Sequence, residues 1–184
     1  LQLEGFHAHI GSQIFELSAW IAEIHKLIGY LKDFDEVLSL NLGGGFGIRY
    51  TESDQPLPIE ESVRELVRFT EEALKKQGLV INELLIEPGR SIVGEAGTTL
   101  YTVGFIKQTP NKKYYFVDGG MTDNIRPALY QASYQCDLAT KLREKKTEKV
   151  TIAGKMCESG DVVIQEALLP IAERGDILAV YATG

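Results

Sequence analysis

The chain reads as an α/β protein in two parts: parallel strand–helix units over residues 1–91, then a mainly antiparallel β region over 92–184. Period-2 and period-3.6 hydrophobic patterns alternate before residue 91 and predict strand, helix, strand, helix, strand. After residue 91 the helical period disappears, and strand-like runs separated by turn signals take over. Each of the three early strands also ends in chemically unusual sequence, where parallel α/β folds place their ligands.

In order, "LQLEGFHAHI" (1–10) reads as the first strand. A helix follows in about 16–32, with Leu17, Trp20, Ile21, Ile24, Leu27, Ile28 and Leu31 on one face. "EVLSLNL" (36–42) is the second strand, and a loop with Pro56 and Pro58 leads to a helix in about 60–77. That helix presents Val63, Leu66, Val67 and Leu74, and Gly78 is its expected stop. "ELLIE" (83–87) is the third strand, with Leu84, Leu85 and Ile86 expected to be buried. Right-handed crossovers make the three strands parallel neighbours, and three such strands close nothing alone, so they read as the tail of a larger sheet or barrel. Beyond residue 91, "TTLYTVGFIKQT", "KKYYFVDGG", "KVTIAGK" and "DILAVYA" are the expected strands, and most of 129–147 is expected to be loop or short helix.

The composition, 44% hydrophobic and 24% charged over 184 residues, suits a chain that buries a core. A net charge of −7 argues against nucleic acid and against an anionic membrane surface, yet leaves room for a phosphate-bearing ligand. No run of about 18 uncharged apolar residues predicts a membrane span. Cys136 and Cys157 make no disulfide framework, so a reducing cytoplasm is the expected location. Strand-like sequence at Leu1 and an apolar strand just before Gly184 lead us to expect that both ends are cut.

The candidate chemistry lies at the strand ends. "GGGFG" (43–47) suits either a backbone cradle for a compact phosphate or a plain tight turn; it has neither dinucleotide-fingerprint nor P-loop spacing. "HAHIGSQ" (7–13) offers His7 and His9 on one expected strand face, with Ser12 beyond. Two histidines are too few for a metal site, and they read as core histidines or as flat rings that stack on a cofactor. Glu87 in "EPGR" needs a positive partner, and Arg90 either neutralises an anion or pairs with Glu87. "DNIRPALY" (123–130) sets Arg126 four residues from Tyr130 around a proline that starts a helical turn. Such a pair suits a carboxylate, or is ordinary surface. "CESGD" (157–161) alone reads as a buried structural cysteine.

"HIGSQ", "NLGGGFGI", "EPGRSIV", "VDGGMTDNIRPALY" and "CESGD", in this order and spacing, resemble the pyridoxal-phosphate-dependent decarboxylases of the alanine racemase-like class. Within it the nearest resemblance is to the diaminopimelate decarboxylases, and it covers essentially the whole chain. The resemblance implies the last three strand–helix units of a (β/α)8 barrel followed by a β domain, with active sites shared across a homodimer. It implies pyridoxal 5'-phosphate as cofactor. His9 would stack on the pyridine ring, and Ser12, Gly43, Gly44, Gly45, Gly89 and Arg90 would hold the phosphate. Glu87 would face the ring nitrogen. Arg90, Arg126, Tyr130 and Glu158 would bind meso-diaminopimelate, while Cys157 would donate a proton and reach, with Glu158, into the partner's site.

The same resemblance places the cofactor-bearing Schiff-base lysine upstream of Leu1, and a cofactor-binding tyrosine just beyond "YATG". Lys155 is near the site but does not correspond to that lysine. The chain alone is therefore expected to be inactive, and to self-associate through its open sheet edge. Alternatives are a relative acting on ornithine, arginine or carboxynorspermidine, and a non-catalytic cofactor-binding protein.

Overall fold

The computed structural model describes residues 3–34 and 39–184. It divides into two units, Leu1–Arg49 with Asp54–Val93, and Tyr50–Ser53 with Gly94–Gly184. Residues 1–2 of the first expected strand and 36–38 of the second lie outside the described residues.

In the first unit, β1 (Gly5–His7), β2 (Ser39–Asn41) and β3 (Glu83–Leu85) form a parallel sheet in the order β1-β2-β3. The register aligns Phe6 with Leu40 and Leu84, and His7 with Asn41 and Leu85. Two helices, α1 (Leu17–Leu31) and α2 (Ile59–Gln77), supply the connections that parallel pairing requires. Leu40 and Leu42 are buried with Trp20, Ile24, Leu27, Ile28 and Leu31 of α1 and Leu66, Ala73 and Leu74 of α2. Each large apolar side chain buried this way contributes about 1.5–3 kcal/mol. Acidic Glu60 and Glu61 open α2 and Lys75 and Lys76 end it, the charge order a helix dipole favours. Gly78 closes the helix at φ 67°, donating to Lys75 O as Leu79 N–H reaches Leu74 O.

Side-chain alternation gives the sheet two unlike faces. Phe6, Ala8, Leu84 and Ile86 pack into the core with the helices. The opposite parity, His7, Asn41 and Leu85, lines the other face. Leu85 is therefore 42% exposed, and Val67 on α2 is 39% exposed, so neither is the buried residue the sequence predicts. β1 also ends at His7, so His9 follows the strand rather than standing in it. An unexpected member of the helix face is Glu23, 6% exposed, with no hydrogen-bond partner among the described residues at either carboxylate oxygen. Burial pushes its pKa up to about 7, against a smaller opposing pull from His7.

The second unit is a six-stranded mixed sheet in the order β6-β9-β4-β5-β7-β8, from β4 (Thr98–Gln108), β5 (Lys113–Val117), β6 (Cys136–Leu138), β7 (Glu148–Ala153), β8 (Val162–Leu169) and β9 (Ile177–Tyr181). β5 and β7 are parallel and the other pairs antiparallel. β4 is long enough to serve two partners: Thr98–Thr102 pair with β9, and Val103–Gln108 with β5, with an irregularity at Gly104. Its core includes Val103, Tyr115, Leu138, Ile152, Leu169 and Leu178. The segment between β5 and β7 carries the short helix α3 (Arg126–Tyr130), started by Pro127 as its sequence predicts, and then β6.

Candidate functional site

The rim of the parallel sheet gathers most of the predicted residues of the first unit. The ladder continues past the strands: Ala8 N–H donates to Asn41 O, Leu42 N–H to Leu85 O, and Glu87 N–H to Gly43 O. This places the Glu87 side chain on the same face as His7 and Asn41. Asn41 Nδ2 donates to Glu87 Oε1 at 3.0 Å, and His7 Nε2 lies 3.4 Å from Oε2. His7 and Glu87 are each 52% exposed, so the pair itself adds at most about 1 kcal/mol. Asn41 was not a predicted site residue, although a polar side chain just before a glycine run was its visible signal.

Asn41 also accepts the Gly43 N–H at its Oδ1, 2.9 Å away, and Gly44 N–H donates to His9 Nδ1 at 3.1 Å. That bond, accepted at Nδ1, fixes the His9 ring against the glycine run. The Gly43 and Gly44 amides are thus engaged, whereas Gly45 N–H has no protein acceptor among the described residues. At Gly44 a Cβ would collide with the carbonyl oxygen of Glu87, which explains a glycine here by close backbone approach. Gly44→Ala is expected to push the 43–45 segment away from Glu87 and to destabilise the fold by about 1–3 kcal/mol. A thermal melt checks this, and an unchanged Tm would contradict it.

On the same rim Arg90 Nη2 donates to Ser12 Oγ at 2.9 Å, and Gly89 precedes Arg90 at φ 51°. A half-exposed carboxylate, an oriented ring, a hydroxyl beside a guanidinium and an unengaged amide fit a compact, flat, phosphorylated cofactor with a basic ring nitrogen. Among the described residues no group of three or more His, Cys, Asp or Glu is placed to hold a metal, and no helix is long and apolar enough to cross a membrane.

The second unit holds the other motifs. Arg126 donates from Nη1 to Tyr50 Oη at 3.2 Å, and its guanidinium lies 5.1 Å from the Tyr50 ring and 5.9 Å from the Tyr130 ring. Tyr134 meets Tyr50 edge-on at 5.1 Å. The Arg126 Nε–H is buried without a partner among the described residues. Such a donor costs about 1–3 kcal/mol until an acceptor such as a carboxylate meets it. Tyr50 gave no signal in the sequence, because its role depends on a contact 76 residues away.

"CESGD" forms the turn between β7 and β8. Cys157 is exposed, not buried as the motif alone suggests. Glu158 accepts the Gly160 N–H at 3.0 Å and the Ser159 hydroxyl at 3.2 Å. The Gly160 amide, aided by that hydroxyl, holds its carboxyl below the usual range, so it stays ionised at neutral pH. A cavity of about 550 Å³, lined by Pro127, Ala128, Tyr134, Ser159 and Gly160 among others, adjoins both this turn and the Arg126 helix.

Residues 18–184 match the family model described as "Pyridoxal-dependent decarboxylase, C-terminal sheet domain". The chain belongs to this family of pyridoxal-dependent decarboxylases. Among its relatives, diaminopimelate decarboxylase of Bacillus subtilis (strain 168) is 50% identical over 100% of the chain and 43% of its own length. The Bacillus methanolicus diaminopimelate decarboxylase is 49% identical, over 100% of the chain and 44% of the relative. A crystal structure of diaminopimelate decarboxylase from M. jannaschii in co-complex with L-lysine superimposes with a TM-score of 0.87 at 36% identity, covering 98% of the chain and 42% of that protein. The chain thus spans less than half the length of these relatives.

Proposed function

We propose that the protein carrying this chain decarboxylates meso-2,6-diaminopimelate to L-lysine and CO2, using pyridoxal 5'-phosphate, in lysine biosynthesis. The observation that supports it best is Glu87, a carboxylate held at the strand rim by Asn41 and flanked by His7 and the fixed ring of His9. The identity to diaminopimelate decarboxylases over the full chain supports the substrate.

In this reading residues 1–91 are the C-terminal part of a (β/α)8 barrel and residues 92–184 belong to the β-rich domain that follows it. The His7–Asn41–Glu87 face lines the barrel interior. The bound cofactor supplies an electron sink for the negative charge left on the substrate carbon when CO2 departs. Glu87 would keep a proton on the ring nitrogen by opposing its positive charge. His9 would lie against the ring. Ser12, Arg90, Gly89 and the Gly43–Gly45 backbone would hold the phosphate, with Gly45 N–H as a further donor. Arg90, Arg126 and Tyr130 hold substrate, and the partnerless Nε–H of Arg126 is matched to a carboxylate. Glu158, ionised at neutral pH, takes an ammonium at the distal amino-acid end. Cys157 gives a proton to the substrate carbon. The protein acts in the cytoplasm as a homodimer, and each subunit's Cys157 and Glu158 serve the partner's cofactor site.

A relative acting on ornithine, arginine or carboxynorspermidine is the competing reading. Arg126 and Glu158 favour a substrate with a second amino-acid head. Rates on the four amino acids, measured side by side with the full-length protein, are expected to put meso-diaminopimelate at least 10²-fold ahead in kcat/KM, because unpaired polar groups strongly reject a substrate lacking that head. Faster turnover of ornithine would overturn the assignment.

A further inference from the structure

We propose that Asp161 is a positioning residue, whose buried carboxylate fastens the Cys157–Glu158 turn to the loop that leads into Arg126. The proposal rests on the reading that these three residues act on substrate. Asp161 is 3% exposed and lies at the foot of the turn. Its two oxygens are divided between two segments that are distant in sequence. Oδ1 accepts the Met121 N–H at 2.7 Å, and Oδ2 accepts the Met156 N–H at 2.8 Å. Met156 immediately precedes Cys157.

The Met121 side continues toward Arg126 by short links. Gly120 N–H donates to Asp123 Oδ2 at 2.8 Å, and Arg126 N–H to Asn124 Oδ1 at 3.2 Å. A parallel tie runs from Lys155 N–H to Gly119 O at 3.1 Å. The backbone of Asp161 closes the turn itself, accepting from Gly154 N–H at 2.9 Å and donating to Glu158 O at 3.1 Å. A Cβ at Gly154 or at Gly120 would strike the Asp161 carboxylate, so both segments are built to approach it.

A buried carboxylate is costly unless its oxygens are satisfied, and here amides rather than a lysine or arginine satisfy them. Only an ionised carboxyl accepts at both oxygens without presenting a hydrogen. An asparagine at 161 turns an NH2 toward one of the two amides and breaks that link. Met121 and Met156 cannot then both stay fixed, and the thiol and the guanidinium lose their common frame.

The test uses the full-length holoenzyme with Asp161→Asn. Hydrogen exchange of the Met121 and Met156 amides is expected to be slow in the wild type and about tenfold faster, or more, for at least one of them in the variant. Turnover per bound cofactor is expected to fall about tenfold and KM for diaminopimelate to rise, with the cofactor absorbance retained. A purely structural role would lower folded and cofactor-loaded protein together and leave turnover per bound cofactor unchanged, which would overturn the proposal. If Asp161→Asn does not fold, Gly154→Ala displaces the same carboxylate and is expected to give the same split. Fast exchange of both amides in the wild type overturns it without any variant. A wild type inactive on all four amino acids but with protected amides sinks the functional reading, and the positioning role with it. An active wild type matched by an equally active Asp161→Asn sinks the positioning role alone.

Discussion

Glu87→Gln is expected to lower kcat/KM for diaminopimelate about 10²–10³-fold, the usual cost of losing one aligned electrostatic partner in an active site. The amide keeps the shape and one acceptor, so Asn41 can still bond at position 87. On the proposed reading it removes the negative charge that would keep the ring nitrogen protonated, and an unprotonated ring would be a poorer electron sink. The loss should fall on kcat more than on KM, because the interaction strengthens as charge flows into the ring. Folding should change by only about 0.5 kcal/mol, since the side chain is half exposed and buries no apolar area. Steady-state kinetics beside a thermal melt checks this. Activity within a few-fold of wild type would mean that Glu87 does not face the ring.

Cys157→Ala is expected to reduce kcat about 10²–10⁴-fold, the range for a lost general acid. The thiol is exposed on a turn and fills no core, so stability is expected to be unchanged. The sharing of sites proposed above gives this variant a sharper consequence. Mixing Cys157→Ala subunits with Glu87→Gln subunits creates dimers in which one site has both native groups. Random exchange should then restore about a quarter of wild-type activity. No recovery after exchange would show that Glu87 and Cys157 serve the same site from the same chain.

Some of this was legible in the residues themselves. The spans of α1 and α2 follow from period-3.6 apolar residues, and the end of α2 from Gly78, because each depends on neighbours within a few positions. β8 is hidden in the sequence for an equally local reason. Its pairing with β7 slips twice, and Glu166 stands at φ 58°, so "VVIQEALL" loses the strict alternation that marks a strand. The partners of Glu87 were hidden by register: nothing in a sequence says that His7 and Asn41 stand level across parallel strands. The glycine run 43–45 suits a phosphate cradle or a tight turn by sequence, and Gly44 adds a third reason, the Glu87 carbonyl beside it. Spacing alone allows Arg90 to pair with Glu87 or to meet an anion, and it does not reveal that the guanidinium donates to Ser12. Tyr50 and Asp161 act through long-range contacts with Arg126 and Met121, which no motif spacing reveals.

The most direct measurement is the product balance of the full-length protein given carboxyl-labelled meso-diaminopimelate, with and without pyridoxal phosphate. Equimolar lysine and labelled CO2, formed only when the cofactor is present, is the expected result. Absence of CO2, or equal release from cofactor-free protein, would contradict a pyridoxal-phosphate decarboxylase built around Glu87.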